Sequence, residues 1–528
     1  MRILKDLENL FAKGKISRRD FLARVSAMGL TAALSPALFR STAHAMTPKI
    51  GGRLRIGSGS GSTTDSLDPA SLSETMGQTV NWCLRNQLVE IDYKGNAIPE
   101  LAESWEPTPD AAKWVFKLRK GVEFSNGKTL EAQDVIFSIN HHRGKDSKSG
   151  AKGLLEVIKE IKADGKDTVV FILKSGSADF PYVLSDYHLT ISPADTVDWT
   201  KGIGTAGYTM VSYEPGVRAL LKRQPNYWKA GHANFDEVEV FGIRDANART
   251  TALTTGEVDL IDRVGIRTAK FVEKIQEIDL INSKGFKHYD FPMLCDVAPF
   301  DNNDVRLALK YAVDREQMVD KILRGFGEVG NDHPISSILK FHAGDRLPQR
   351  QYDPDKARFH IKKAGMEGHT FELHTADMAF QGAVDAATVY KEHAAKAGIN
   401  IKVVRESDDG YWSNVWIKKP WCAGSWSGRP TVDMMFSVGY HSTASWNHTH
   451  YRDKHFDELL YKARAELDEK KRAEYYFEMQ KMVRDEGGAV VPMFANYVEA
   501  ASKKLQHGPI AGNWELDGCK APERWWFA

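Results

Sequence analysis

Lys113-Trp-Val-Phe-Lys-Leu-Arg-Lys-Gly-Val-Glu-Phe-Ser-Asn-Gly127 is the stretch that decides the fold. Trp114, Phe116 and Leu118 are every second residue, so they fall on one face of a predicted strand. Glycine, asparagine and charged residues on either side form turns around a second short predicted strand, residues 122–124. The N-terminal half is therefore predicted to be mixed α/β.

Longer amphipathic helices are predicted in the second half of the chain. An apolar stripe from Phe456 to Ala463 recurs at helical spacing, and a similar stripe follows Asp304, which is predicted to cap its helix. Asp468 is predicted to cap a third helix. These stripes are interpreted as core-facing. Because 528 residues exceed what one compact core supports, at least two lobes are expected.

The first 45 residues are predicted to be an export leader and not part of the fold. Arg18 and Arg19 precede Phe21-Leu22, an apolar stretch runs from Val25 to Leu38, and Ala43-His-Ala45 resembles a cleavage site. The arginine pair predicts the twin-arginine export machinery and delivery to the periplasm. The apolar stretch is shorter than the roughly 20 residues that span a bilayer.

The charge of the chain excludes one class of partner. Residues 1–45 contain eight Lys or Arg and three Asp or Glu, a net charge of +5, so the remainder carries −4 of the overall +1. A mildly acidic body offers no overall basic field for nucleic acid. No nucleic-acid partner is expected.

The cysteine pattern indicates no structural metal site. Cys83, Cys295, Cys422 and Cys519 all follow the leader, and none forms a CxxC pair. The periplasm permits disulfides, and four cysteines allow three pairings between which spacing cannot choose.

One segment of the second half is unusually rich in tryptophan. Five of the 13 Trp fall between residues 412 and 446, among Gly, Ser and Pro, with weak periodicity: Trp412, Trp416, Trp421, Trp426 and Trp446. Large aromatic side chains on irregular backbone suit a pocket wall, but they also suit a small satellite core under a long loop. Composition leaves both interpretations open.

Several blocks resemble, in order, the peptide/opine/nickel family of extracellular solute-binding proteins. The blocks span residues 51–498 and include Leu101-Ala-Glu-Ser-Trp105, Trp114 to Phe124, Asp134 to Asn140, Gly204-Thr-Ala-Gly-Tyr208, Arg223 to Trp228, Gly256-Glu-Val-Asp-Leu260 and Asn303 to Arg315. No single block is decisive, but seven in register are hard to obtain by chance.

The resemblance implies an α/β periplasmic-binding-protein fold with two lobes and a hinge. Lobe one is expected at 46–290, with an extra subdomain inserted at 82–203, lobe two at 291–495, and a return to lobe one at 496–528. It implies a monomer that binds a peptide or other small solute and passes it to an inner-membrane ABC permease with its ATPase. No catalysis and no cofactor are expected.

The resemblance also places ligand contacts. In dipeptide-binding relatives an acidic residue after Trp-x-Gly holds the ligand's α-amine, but here Arg429 follows Trp426-Ser-Gly428. The oligopeptide-type step, Trp421-Cys-Ala423, is followed by Gly424. Unless Asp433 substitutes, the amine-binding carboxylate is missing.

Arg429 is therefore expected to clamp an anionic group through its bidentate guanidinium, or else to pair with a protein carboxylate such as Asp433. The other expected ligand contacts are Trp412, Trp421, Trp426, Trp446, Tyr208 and Trp82. The resemblance further implies a Cys295–Cys422 disulfide, at the two places where oligopeptide-binding relatives carry a bridging pair.

Two other functions remain as alternatives. His441, His448, His450 and His455 cluster in the sequence and suggest capture of a nickel- or heme-type chelate. The twin-arginine route also serves periplasmic enzymes, but the chain contains no GxSxG, HExxH or GxxxxGK[ST] motif.

Overall fold

A computed structural model describes residues 48–408 and 410–528. The predicted leader at 1–45 and its arginine pair lie outside these residues. No helix in the described ranges is both long and apolar enough to cross a membrane.

Lobe one is built on a seven-stranded mixed sheet. Its first strand pairs in parallel with two neighbours, and the remaining pairs are antiparallel. In spatial order the strands are Ile278–Ser283, Tyr497–Ser502, Leu260–Ile261, Arg53–Ser58, Glu237–Gly242, Arg218–Arg223 and Tyr208–Glu214. The chain thus returns to this sheet after residue 496.

The insert has its own sheet and its own core. Four antiparallel strands lie in the order Ala102–Pro107, Lys113–Leu118, Thr168–Leu173 and Ile158–Ala163, and a two-stranded sheet joins Val89–Ile91 to Ala97–Pro99. Trp114, Phe116 and Leu118 are buried in this core, which confirms the predicted alternation. The second predicted strand is wrong, because residues 122–124 are reduced to an isolated bridge between Glu123 and Thr129.

Lobe two contains a four-stranded antiparallel sheet and a parallel pair. The four strands lie in the order Gly327–Val329, Ala489–Ala495, His288–Pro292 and Gly424–Trp426, and the pair joins Thr370–Thr375 to Asn400–Arg405. The chain crosses between the lobes at residues 284–287 and again at residue 496. Leu505–Gln506 and Trp526–Phe527 form a last small sheet.

Besides the short helix Glu515–Gly518, fourteen α-helices cover these sheets in the described ranges. Those of lobe one and the insert are Thr75–Leu84, Ala132–His141, Phe180–Val183, Ala246–Thr254, Ile266–Val272 and Ala521–Arg524. Those of lobe two are Asn303–Tyr311, Arg315–Leu323, Pro354–Lys363, Ala383–Ala395, Tyr411–Asn414, Val432–Gly439, Lys454–Ala465 and Glu469–Asp485.

Two of the three sequence-based statements on helices are confirmed. The stripe from Phe456 to Ala463 is buried, and Asp468 caps its helix by accepting from two backbone amides. The Asp304 cap is wrong: Asn302 caps that helix, and its side chain accepts from the Asp304 amide. The helix starts two residues earlier than predicted, at Asn303, so Asp304 lies in its first turn, where the helix dipole favours a carboxylate.

Candidate functional site

A cleft of about 660 Å³ lies between the two lobes, beside the chain crossings. Lobe one contributes the end of its first strand, the region 244–267 and Glu515. Lobe two contributes Lys287, Tyr289, residues 321–324 and Ser427, and the second crossing supplies residues 495–498. Both lobes therefore share one site, and rotation about the crossings would open or close it.

The lining of the cleft is strongly basic. It contains three acidic side chains (Glu74, Asp385 and Glu515) and seven basic ones: Arg244, Arg249, Arg263, Arg267, Lys287, Lys321 and Arg324. A concave surface with an excess of one charge focuses its field on ligands of the opposite sign. The cleft therefore favours anions.

All three acidic side chains are already paired. Arg263 contacts Glu515 at 2.9 Å and Glu74 at 3.7 Å. Arg267 contacts Asp385 across the cleft at 3.7 Å. Glu515 also feels the charge of the more distant Lys287, but none of the three carboxylates forms a close ion pair with the other cations.

Two more arginines are held by the protein itself. Arg249 is buried, and its guanidinium donates to several backbone carbonyls and lies 3.5 Å from Asp262. A Cβ at Gly59 would lie 2.9 Å from that guanidinium, so a larger residue there would displace the arginine. The segment 57–61 thus leads from the first strand into a turn at the cleft edge. Arg244 donates to the Gly61 carbonyl at 2.9 Å.

Three cations remain with neither a carboxylate nor a carbonyl partner among the described residues. Within residues 48–408 and 410–528, no carboxylate lies within 4.0 Å of Lys287, Lys321 or Arg324. The Lys287 ammonium sits 5.5 Å from the centre of the Tyr497 ring. Lys321 and Arg324 are exposed at the end of their helix. We call Lys287, Lys321 and Arg324 the hinge-end cations.

The hinge-end cations were missed by the sequence reasoning. They come from separate segments and belong to no motif. Only their clustering in space, which the lobe topology produces, distinguishes them from ordinary surface lysine and arginine.

The opposite end of the lobe boundary is closed by direct contact with the insert. Asp179 of the insert lies 2.5 Å from the guanidinium of Arg472 in lobe two, and both side chains are buried. The Ala178 amide donates to the Arg464 carbonyl at 2.7 Å. Burial alone would lower the pKa of Arg472, but Asp179 outweighs it and raises that pKa.

Four of the five clustered tryptophans do come together. Trp416 lies at the centre, with ring centroids 5.6 Å from Trp412, 6.0 Å from Trp426 and 6.4 Å from Trp446. Trp412 is 40% and Trp446 49% exposed, so an aromatic surface is left open to solvent. The cluster is therefore partly buried and partly exposed. It is neither a complete pocket wall nor a complete satellite core.

Trp421, Tyr208 and Trp82 do not face the cleft. Trp421 is fully buried in the core of lobe two, between Phe300 and Tyr390. The Tyr208 hydroxyl donates to the Pro522 carbonyl inside lobe one. Trp82 is buried in the helix Thr75–Leu84. In this structure all three are core residues, because alternation or helix phase turns their side chains inward.

Arg429 remains available to an anion, whereas Asp433 does not. Asp433 is buried and pairs with Arg464 at 3.1 Å, so it neither replaces the amine-binding carboxylate nor pairs with Arg429. In the described part of the chain no carboxylate lies within 4.0 Å of Arg429, although Asp186 of the insert acts on it from farther away. Its guanidinium donates to the Gly428 carbonyl and lies 5.6 Å from the centre of the Trp426 ring. Burial lowers the pKa of Arg429.

The expected Cys295–Cys422 disulfide is absent, since both cysteines are free. Met293 pairs with Trp421, and the Cys422 amide donates to the Pro292 carbonyl. Cys295 instead lies in the turn after this strand, where its amide donates to the Thr449 carbonyl, so it is not placed opposite Cys422.

The four histidines do not converge. His448 lies 2.7 Å from Asp290, His450 lies 2.8 Å from Asp296, and His441 lies 2.8 Å from the Tyr461 hydroxyl. One group in the described residues has three potential ligands close together, Glu90, Glu100 and Glu523. Its charge is already matched by the side chains of Lys229, Lys520 and Arg524.

Two lobes, two chain crossings and a shared cleft define the class of solute-binding proteins that close over a small molecule. The chain belongs to the bacterial extracellular solute-binding proteins, family 5, whose model matches residues 96–448. The resemblance found in the sequence is thereby confirmed.

Named relatives bind different solutes. The glutathione-binding protein GsiB of Pectobacterium atrosepticum is 25% identical over 84% of this chain and 89% of its own. Heme-binding protein A of Haemophilus influenzae is 26% identical over 76% of this chain and 80% of its own.

A solved structure shows the same fold. The ABC transporter-associated periplasmic binding protein DppA of Helicobacter pylori, in complex with the peptide STSA, is 21% identical, with a TM-score of 0.73. The match covers 91% of this chain and 98% of that protein.

Proposed function

We propose that the protein captures a peptide-like or other small polar solute in the interlobe cleft. It then delivers the solute to an inner-membrane permease driven by an ATPase. The cleft of about 660 Å³, with walls from both lobes, carries this proposal. Its volume lies in the range of sites for drug-sized ligands, and closure would exclude water and strengthen each polar contact inside.

The named relatives support a solute of this kind. Glutathione and peptides are small, polar and carry at least one carboxylate, which suits a basic cleft. The proposed compartment is the periplasm, reached through the predicted leader with Arg18 and Arg19. Binding and release require no change in the solute, so no catalytic residue is assigned.

Native mass spectrometry of protein purified from its own cell envelope tests this function. We expect one small organic molecule per chain, released when the protein is unfolded. Unfolded and refolded protein should be stabilised against heat when that molecule is returned. Protein that retains no small molecule, and gains no stability from any fraction of a cell extract, would contradict the proposed function.

The same preparation distinguishes the metal-chelate alternative. His441, His448 and His450 each have a separate partner in the described residues, so they do not form one set of metal ligands. We therefore expect dialysis against a strong chelator to leave the bound molecule in place. Loss of the ligand on chelation would favour a metal chelate instead.

A further inference from the structure

The lining charges of the cleft restrict its ligand further. We infer that the solute carries at least two negative charges and that Lys287, Lys321 and Arg324 hold its anionic groups at the hinge end of the cleft. This inference rests on the proposed function and assigns the ligand class of the same site.

The first step is a balance of charge. Glu74, Asp385 and Glu515 are the only acidic side chains among the described residues that line the cleft, and each already pairs with Arg263 or Arg267. The hinge-end cations have no such partner. Closing the lobes over them removes water without supplying a counter-charge, and an uncompensated charge is costly away from water. A multiply anionic solute supplies that charge.

The second step excludes a simpler explanation for two of the cations. Lys321 and Arg324 end a helix, where the dipole favours a cation even on a plain surface. Lys287 lies outside that helix, between the strands of the two lobes, and its ammonium is placed over Tyr497 beside the second crossing. Cations from two elements therefore meet in one cleft. The helix dipole accounts for Lys321 and Arg324 but not for Lys287.

The third step sets the number of charges. A single carboxylate accepts one bidentate guanidinium or a few ammonium contacts. Three uncompensated cations around one cleft are better matched by two or more anionic groups, such as two carboxylates or a phosphate. Those sources share one chemistry, and the identity of the bound molecule distinguishes them.

A charge-matched pair of variants tests the inference. Lys287→Met, Lys321→Met and Arg324→Met together remove three charges from the cleft. Lys391→Met, Lys462→Met and Lys470→Met remove three exposed charges from lobe two outside the cleft. Both variants have the same net charge, so any difference between them reports on position. The single Lys287→Met variant covers the case in which the first combination fails to fold.

The probes are the two fractions of a small-molecule cell extract passed over an anion exchanger. Unfolded and refolded wild-type protein should be stabilised by the retained, anionic fraction and not by the flow-through. Mass spectrometry of the bound molecule should show at least two ionised acidic groups. The affinity of the purified molecule should fall at least tenfold in the cleft variant, or in Lys287→Met alone, and less than twofold in the control.

Two results would overturn the inference while leaving the proposed function in place. One is stabilisation by the flow-through fraction alone, with a neutral or cationic molecule bound. The other is binding of an anion with equal affinity by the cleft variant and the control. Stabilisation by neither fraction would instead overturn the proposed function itself.

Discussion

The two ends of the lobe boundary differ in whether the protein supplies a counter-charge for its cations. At the insert end, buried Arg472 meets buried Asp179 at 2.5 Å, so the protein supplies its own counter-charge. At the hinge end, Lys287, Lys321 and Arg324 face the cleft without a carboxylate in the described ranges. The first end can therefore close without a ligand, whereas the second needs a solute to complete it.

The insert end should show the largest mutational effect. Asp179→Ala leaves Arg472 buried and unpaired, and such a loss costs about 3–5 kcal/mol. We expect that decrease in the free energy of unfolding from urea titrations. Hydrogen exchange should also become faster in the helix Glu469–Asp485.

Two further variants show whether the pair is the cause. Asp179→Ala combined with Arg472→Met should recover much of the loss, because no charge then remains buried. Asp320→Ala, an exposed carboxylate on the helix Arg315–Leu323, serves as the control. If Asp179→Ala is as stable as this control, the insert end is not held by the ion pair.

Acid should lower the free energy of unfolding through three buried histidines. Burial lowers the pKa of His142 and His288 to about 4 and that of His333 to about 3. Between pH 6.5 and 4 the unfolded chain binds more protons at these groups, so stability falls as pH falls.

We expect a net loss of stability between pH 6.5 and pH 4.5, because the three histidines together outweigh one opposing carboxylate. Burial and the charge of Glu515 raise the pKa of Asp262 to about 6, so its protonation favours the folded state over the same range. Thermal melts at several pH values check the sum. His333→Gln should flatten the dependence, and His455→Gln, on an exposed side chain, should leave it unchanged.

Arg429 should have a smaller effect than the hinge-end cations. Its guanidinium is only partly buried and lies outside the cleft lining, although it has no carboxylate partner among the described residues. We expect Arg429→Ala to weaken binding of the native solute by about 1 kcal/mol in calorimetry. A loss of 2–5 kcal/mol, as for a desolvated ion pair, would move the main anion contact to this end of the boundary.

The exposed pair across the cleft should matter least. Arg267 and Asp385 are 3.7 Å apart, and both side chains are largely in solvent. Such pairs contribute about 0–1 kcal/mol. Asp385→Asn should therefore change solute affinity less than threefold. A larger loss would show that this ion pair itself holds the lobes closed.

Local patterns predicted much of the fold. The alternation of Trp114, Phe116 and Leu118 and the stripe from Phe456 to Ala463 each depend on near neighbours, so burial follows from the sequence. The Asp304 cap failed by two positions, because Asn302 can do the same work. The end of a helix is decided by small differences between neighbouring residues that can each cap it.

The candidate site was less accessible from the sequence. Trp421 and Trp426 both looked like pocket residues, but both are buried in lobe two, Trp421 beside Phe300 and Trp426 beside Trp416. The hinge-end cations come together only because the chain crosses twice between the lobes. Neither the direction of a side chain nor a contact between distant segments can be read from composition.

The most direct test is a crystal structure of the protein purified with its natural solute still bound. We predict a single small molecule between the lobes, with anionic oxygens within about 4 Å of at least two of the Lys287, Lys321 and Arg324 side-chain nitrogens. A closed cleft that holds only water, or a bound solute with no anionic group near these cations, would contradict the account.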